Sequence, residues 1–154
     1  MTPQELAGRM GEDTGDLVGP SLGLLLAHAE HTVRLRLGPV LAEAGLSVEH
    51  WRIMAVLLAR PGLPMASVAT AAVVPSATLT RHVDRLVDRA LVVRRIDPAD
   101  KRRVVVALSP MGTELAGRLR AAERSVEDEI STGLGRSRYA ALVRELSLLP
   151  HLSD

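Results

Sequence analysis

The 154-residue chain has no cysteine and no phenylalanine, and only one tryptophan and one tyrosine. Without cysteine, disulfides, thiolate metal sites, thiol nucleophiles and thiol redox sensing are all excluded. The scarcity of aromatic residues argues against a β-sandwich, whose strands are usually rich in aromatic and β-branched side chains. No apolar stretch reaches the roughly 18 residues that a membrane span needs. No basic segment followed by an apolar core opens the chain, so no signal peptide is expected and a cytoplasmic location follows by default.

What is present is aliphatic. Hydrophobic residues make up 47% of the chain, mostly Leu, Val and Ala, against 24% charged residues. That balance is enough to bury a core, and it favours helices packed through aliphatic side chains. The length suits one domain, with or without an oligomerisation extension.

The net charge of +1 says little, but its distribution is uneven. Residues 1 to 20 carry an acidic excess of three, and residues 81 to 103 a basic excess of four. A local basic segment in a near-neutral chain points to a directed anion contact rather than to general stickiness.

Residues 1 to 19 are polar and contain glycine, and are expected to form a loose arm. From Pro20, apolar residues from Leu22 to Leu41 recur at spacings of three and four, which predicts a long amphipathic helix. Gly38-Pro39 predicts a kink or break within it, and Gly45 its C-cap. Ser47 opens a second helix with Trp51, Met54, Ala55 and Leu58 inward, ended by Pro61-Gly62. A short third helix spans Met65 to Val73, with Ala66, Ala69 and Val73 on one side. Pro75-Ser76 begins a fourth, whose buried stripe is Leu79, Val83, Leu86 and Ala90. The period then changes to two, so 91–96 and 103–108 read as strands. Between them Asp97-Pro98-Ala99-Asp100 carries Asp and Pro at the first two positions of a turn, making a hairpin. Ser109-Pro110 opens a fifth helix with Leu115, Leu119, Ala122, Val126 and Ile130 as its seam. Gly133 and Gly135 separate it from a last helix presenting Tyr139, Leu142, Val143, Leu146 and Leu149.

A short helix, a tight turn, a second helix and then a hairpin is the order of a winged helix-turn-helix. The second helix of such a pair can enter a DNA major groove if its outer face is polar. At 100° per residue, Ala77, Arg81, Asp84, Arg85 and Asp88 face away from the buried stripe, flanked by Ser76, Thr78 and Thr80. Arg81 and Arg85, like Asp84 and Asp88, are like-charged neighbours one turn apart, unfavourable for a merely solvated face unless Arg81–Asp84 and Arg85–Asp88 pairs offset them.

The run "LSVEHWRIMAVL", followed by "SATLTRHVDRLVDRALVVRRIDPADKRRVVVALSPMG", resembles the MarR family of bacterial transcription regulators. The likeness covers residues 20 to 150, and its most specific part is the wing, "DPADKRR" with "LSPMG" after it. The resemblance implies a mainly α fold with a small β-hairpin wing. It implies a winged helix-turn-helix over 47–110, flanked by dimerisation helices over 20–45 and 111–150. It also implies a homodimer, with each recognition helix in a major groove and each wing tip over the adjacent minor groove. The apolar faces of the first and last helices, larger than a small domain can cover, independently ask for a second copy. Three departures stand out. Pro75 replaces a usual Ser or Thr cap, Ala77 offers little base readout, and Ala90 replaces a frequent glycine before the first wing strand.

The expected function is a sequence-specific, ligand-responsive repressor acting on a pseudo-palindromic operator with half-sites about one helical turn apart. Ser76, Thr78, Thr80, Arg81 and Arg85 are the expected major-groove residues. Arg102 is expected at the minor groove, Arg94, Arg95, Lys101 and Arg103 on phosphates, and Asp100 as a brace that aims the Arg102 guanidinium. An effector pocket for a small aromatic acid is expected near His28, His31, His50, Trp51 and Met54. Trp51 is also well explained as core. His28 and His31, three residues apart without a third ligand, read as ordinary polar positions, and no metal or cofactor is implied. "GLGRSR" lacks the context of a phosphate loop and no nucleophile motif is present, so no enzyme is expected. The alternative is a winged helix used for protein contacts, without specific DNA binding.

Overall fold

The computed structural model describes residues 21–60 and 62–152. The expected N-terminal arm lies outside them, as does Pro61. Six helices and one hairpin follow in order: α1 (Leu22–Glu43), α2 (Val48–Ala59), α3 (Met65–Ala72), α4 (Ser76–Asp88), β1 (Val92–Ile96), β2 (Val104–Leu108), α5 (Pro110–Leu134) and α6 (Arg136–Leu148). A 3₁₀ turn, Leu149–His151, ends the described chain. The chain divides into two compact units, one of Leu35–Glu123 and the other of the described residues up to Arg34 and from Arg124 onward.

The first unit is the winged helix-turn-helix. Its core is aliphatic, as the composition requires, with Ile53, Met54, Leu57, Val68, Val83, Leu86, Val92 and Val106 almost wholly enclosed. The strands pair antiparallel, from Val92 opposite Leu108 to Ile96 opposite Val104. Leu63, in the loop before α3, exchanges backbone hydrogen bonds with Val106. That bridge seats the hairpin on the helical part, and nothing in the periodicity of the loop announces it.

Three helices of this unit end in the same way. Gly45, Val73 and Ala90 adopt left-handed φ of 67°, 53° and 55°. In each case the next residue's N–H reaches back to the carbonyl five residues earlier: Leu46 to Leu41, Val74 to Ala69, Leu91 to Leu86. These are Schellman ends, in which two orphan carbonyls gain donors. Glycine adopts that conformation without penalty, whereas Val73 and Ala90 are strained in it. Ala90 is therefore an exposed turn residue, not the last member of the buried stripe.

Other expectations shift as well. α1 runs unbroken through Pro39, because Leu37 and Leu41 are buried on either side of it and their packing offsets the lost hydrogen bond. The inward face of α2 adds Ile53 and Leu57 to Trp51 and Met54, while Ala55 and Leu58 are only half-buried. In α3 the buried residues are Val68, Ala69 and Ala72, and Val73 is 77% exposed. The cause in both helices is tertiary: each is clasped on two sides.

The start of α5 is welded to the base of the hairpin. Ser109 Oγ donates to Ala90 O at 2.6 Å and accepts the Gly112 N–H at 2.9 Å. A Cβ on Gly112 would overlap the Leu91 carbonyl. "LSPMG" is thus a cap serine and an obligatory glycine three residues apart.

In the second unit, Val126 is buried. Leu22, Leu24, Leu25, Leu142, Val143, Leu146, Leu148 and Leu149 are exposed.

Candidate nucleic-acid interface

α4 is fixed by its buried stripe, Leu79, Val83 and Leu86, which packs on α2, α3 and β1. Its outer face carries Ser76, Ala77, Thr80, Arg81, Asp84, Arg85 and Asp88, all exposed as helical periodicity requires. Thr78 is half-buried, and its hydroxyl donates to Pro75 O at 3.1 Å. Pro75 is the N-cap and offers no side-chain hydrogen bond; its carbonyl accepts the Thr78 N–H at 3.0 Å, which leaves the Ser76 and Ala77 amides without a side-chain cap.

The wing turn is built by its two aspartates. Asp100 N–H donates to Asp97 O at 3.2 Å, and Arg103 N–H to Asp100 O at 2.9 Å. Asp97 Oδ1 accepts the Ala99 N–H at 2.9 Å, and Asp100 Oδ1 accepts the Arg102 N–H at 3.0 Å. Both carboxylates therefore serve as Asx-turn acceptors. The expected brace between Asp100 and the Arg102 guanidinium is not what forms. Asp100 holds Arg102 by its backbone, because a carboxylate two residues back reaches the amide in a turn more directly than a long, solvated side chain.

The pairs Arg81–Asp84 and Arg85–Asp88 do not form either. Asp84 instead pairs with Arg94 of β1, tying the helix to the hairpin. Among the described residues, Arg81, Arg85, Arg95, Lys101, Arg102 and Arg103 make no ion pair. The interface thus carries six unneutralised cations, and two of its four carboxylates are committed to turn amides and one to Arg94.

Arg89 sits just past α4 and donates to Ala44 O at 2.7 Å and Gly45 O at 2.8 Å. A cation here meets the negative end of α1 and fixes α4 to it. Below Arg81 and Arg85, a groove of about 700 Å³ is lined by His50, His82 and Thr80 among others. His50 is 6% exposed, and its ring nitrogens contact Ser47 N and His82 Nδ1. Burial above all, then the neighbouring His82 and Arg85, hold its imidazole below the usual value; Arg89 adds to this and Glu49 opposes it.

The residues expected around an effector are distributed unevenly. His28 and His31 are exposed on the part of α1 that belongs to the second unit. Trp51 and Met54 are enclosed in the core of the first, 2% and 0% exposed. The indole N–H of Trp51 donates to Glu123 Oε1 at 3.0 Å, and Arg120 holds the other oxygen of Glu123. His82, Arg89 and Glu123 were not legible as functional or positioning residues, since their partners lie 32, 44 to 45 and 72 residues away.

The MarR family model matches residues 44–103, which hold the helix-turn-helix, the first wing strand and the wing turn. The transcriptional regulator HosA of Escherichia coli O111:H- is 31% identical over 104 residues, 66% of this chain and 77% of HosA. NadR, solved in complex with 4-hydroxyphenylacetate, superposes with a TM-score of 0.79 at 26% identity, over 89% of this chain and 97% of NadR. The transcriptional repressor CouR, solved bound to a 23-mer DNA duplex, superposes with a TM-score of 0.74 at 25% identity, over 84% and 92% of the two chains.

Proposed function

The chain belongs to the MarR family of transcription regulators, and on that premise we propose that it is a homodimeric, ligand-responsive repressor that binds a pseudo-palindromic DNA operator. One observation carries the DNA reading: apart from Arg94, the cations of α4 and the wing make no ion pair among the described residues, while most carboxylates among them are turned to backbone or to Arg94. Such charges exchange condensed counterions for phosphate contacts, the main source of affinity for duplex DNA.

In this reading Ser76, Thr80, Arg81 and Arg85 meet the major groove, with Thr78 close to the backbone. The uncapped first turn of α4 offers amide N–H groups to a phosphate. Arg102 enters the minor groove, held by Asp100 through its amide, and Arg95, Lys101 and Arg103 contact phosphates. Arg94 reaches DNA only by sharing or leaving Asp84. The DNA-bound CouR neighbour supports the DNA-binding reading as a whole.

The exposed leucines and valine of the second unit support the dimer, since large apolar side chains left exposed in such number are normally covered by a partner. The NadR complex supports an aromatic acid as effector. Trp51 and Met54 are enclosed, and His50 has both ring nitrogens engaged, so His28 and His31, exposed on α1, are the members of the expected set able to meet such a ligand.

A gel-shift series on the chain's own upstream duplex tests the proposal. The expected result is a shift that weakens steeply with salt, exceeds that for a random duplex, and changes on adding 4-hydroxyphenylacetate. A shift that is absent or indifferent to salt would favour a protein-contact role for the winged helix instead.

A further inference from the structure

His50 stands at the third position of α2, where a capping box ordinarily has Glu or Gln. Ser47 Oγ accepts the His50 N–H at 3.2 Å, and His50 Nδ1 accepts the Ser47 N–H at 3.1 Å. A ring nitrogen that accepts carries no proton, so the neutral His50 ring has its hydrogen on Nε2. That Nε2 lies 3.3 Å from Nδ1 of His82, near the middle of α4. The rings meet edge to face, their centres 5.1 Å apart and their planes at 83°. Because His50 Nε2 donates, His82 Nδ1 must accept, and the second ring is also the Nε2–H tautomer.

One chain of hydrogen bonds therefore runs from the Ser47 backbone through two imidazoles to the helix that carries Arg81 and Arg85. It is complete only while both rings are neutral. A proton on His50 Nδ1 sets donor against donor at Ser47, and a proton on His82 Nδ1 does the same at His50.

We propose that His50 and His82 form a proton-sensitive link that positions α4 on α2, so that discrimination between operator and random DNA falls when His50 takes up a proton. The proposal rests on the DNA-binding reading above. The charged groups facing the pair are Arg81, Asp84, Arg85 and Asp88 of α4, which line the same groove, Arg89 beyond it, and Glu49 of α2. Burial, His82, Arg85 and Arg89 all act against a proton on His50, and Glu49 acts for it. The His50 end of the link thus holds at neutral pH and opens only when His50 takes up a proton, which burial and the neighbouring cations push below the ordinary imidazole range. Protonation also adds positive charge near the DNA face, which strengthens indiscriminate binding. The effect therefore belongs to the ratio of operator to random affinity, not to affinity alone.

Two measurements test this. Imidazole ¹H–¹⁵N spectra of the full chain without DNA, at about pH 7.5, should show both rings as Nε2–H tautomers. An Nδ1–H tautomer in either ring overturns the link whatever the protein does with DNA. Second, the ratio of affinities for the upstream and random duplexes should fall several-fold between about pH 7.5 and pH 5.5, towards the tenfold limit that roughly one pKa unit of coupling sets at lower pH. The double variant His50→Gln/His82→Gln can rebuild the chain with amides that do not titrate, and its ratio should change less than about twofold over the same interval. A merely structural role would lower the ratio at both pH values and leave its pH dependence in place. A flat wild-type ratio with binding intact removes this inference alone; no shift of any duplex at either pH removes the DNA reading with it.

Discussion

Asp84 on the outer face of α4 and Arg94 on β1 form the ion pair that joins the recognition helix to the wing. Both side chains are partly exposed, 53% and 38%, so the pair contributes little to stability, about 1 kcal/mol at most. Its larger effect is electrostatic. Asp84→Asn should release Arg94 and remove a negative charge from the DNA face. Duplex affinity at moderate salt should rise several-fold, and the slope of log affinity against log salt should steepen by about one. A fall in affinity would show that Asp84 aims Arg94 rather than restraining it.

The wing is tested at two positions. Arg102→Ala should weaken operator binding strongly and make the salt slope shallower by about one, while the oligomeric state read by gel filtration stays that of the native chain. At Asp100 the informative comparison is between two variants. Asp100→Asn keeps an acceptor for the Arg102 N–H and should bind DNA at least as well as the native chain. Asp100→Ala loses that acceptor and should bind less well than Asp100→Asn. Equal affinities would mean that the turn does not depend on the side-chain bond.

The strained helix ends predict stabilising substitutions. Ala90→Gly and Val73→Gly should each raise stability by about 1 kcal/mol, since glycine takes the left-handed conformation without the clash of a Cβ. Each should lift the melting midpoint by roughly 2–4 °C.

Two glycines of α5 should respond in opposite directions. Gly112→Ala drives a Cβ into the backbone of Leu91 and should cost about 3 kcal/mol. Gly117→Ala meets nothing within 4 Å, and should stabilise the helix by up to about 1 kcal/mol. Thermal melts of the two variants should move apart from the native value.

Stability should also depend on pH through His50. Its folded-state value lies below the ordinary one, so in acid the unfolded chain binds a proton more readily than the folded chain. Stability from this residue is complete above the ordinary imidazole value near 6.5, falls as the pH drops below it, and levels off below the folded-state value. Urea midpoints measured across that window should decline in the native chain and decline less in His50→Gln.

Much of the molecule follows from interactions within a few residues of chain. The spacing of Leu79, Val83 and Leu86 selects the inner face of α4, and with it the outward set from Ser76 to Asp88. Ser47, Gly45, Asp97-Pro98 and the serine of "LSPMG" mark their caps and turn because the hydrogen bonds that define those features are local. The order of helices and hairpin, and the basic segment laid along it, sufficed for the winged helix-turn-helix, while the likeness to the family rested on "DPADKRR" and "LSPMG".

Where the reading misled, packing was responsible at Pro39 and competing local hydrogen bonds at Ala90 and Asp100. Pro39 sits inside a helix because buried leucines flank it, and Ala90 leaves the stripe because a Schellman end intervenes. Asp100, expected to aim a guanidinium, holds an amide instead. The sequence alone determined which side chains the interface has. Only the tertiary structure decided which of them are free, pairing Asp84 with Arg94, His50 with His82, Arg89 with the end of α1, and Trp51 with Glu123. Periodicity assigns a residue to a face of its own helix, but a partner ten or more residues away is chosen by how the elements pack.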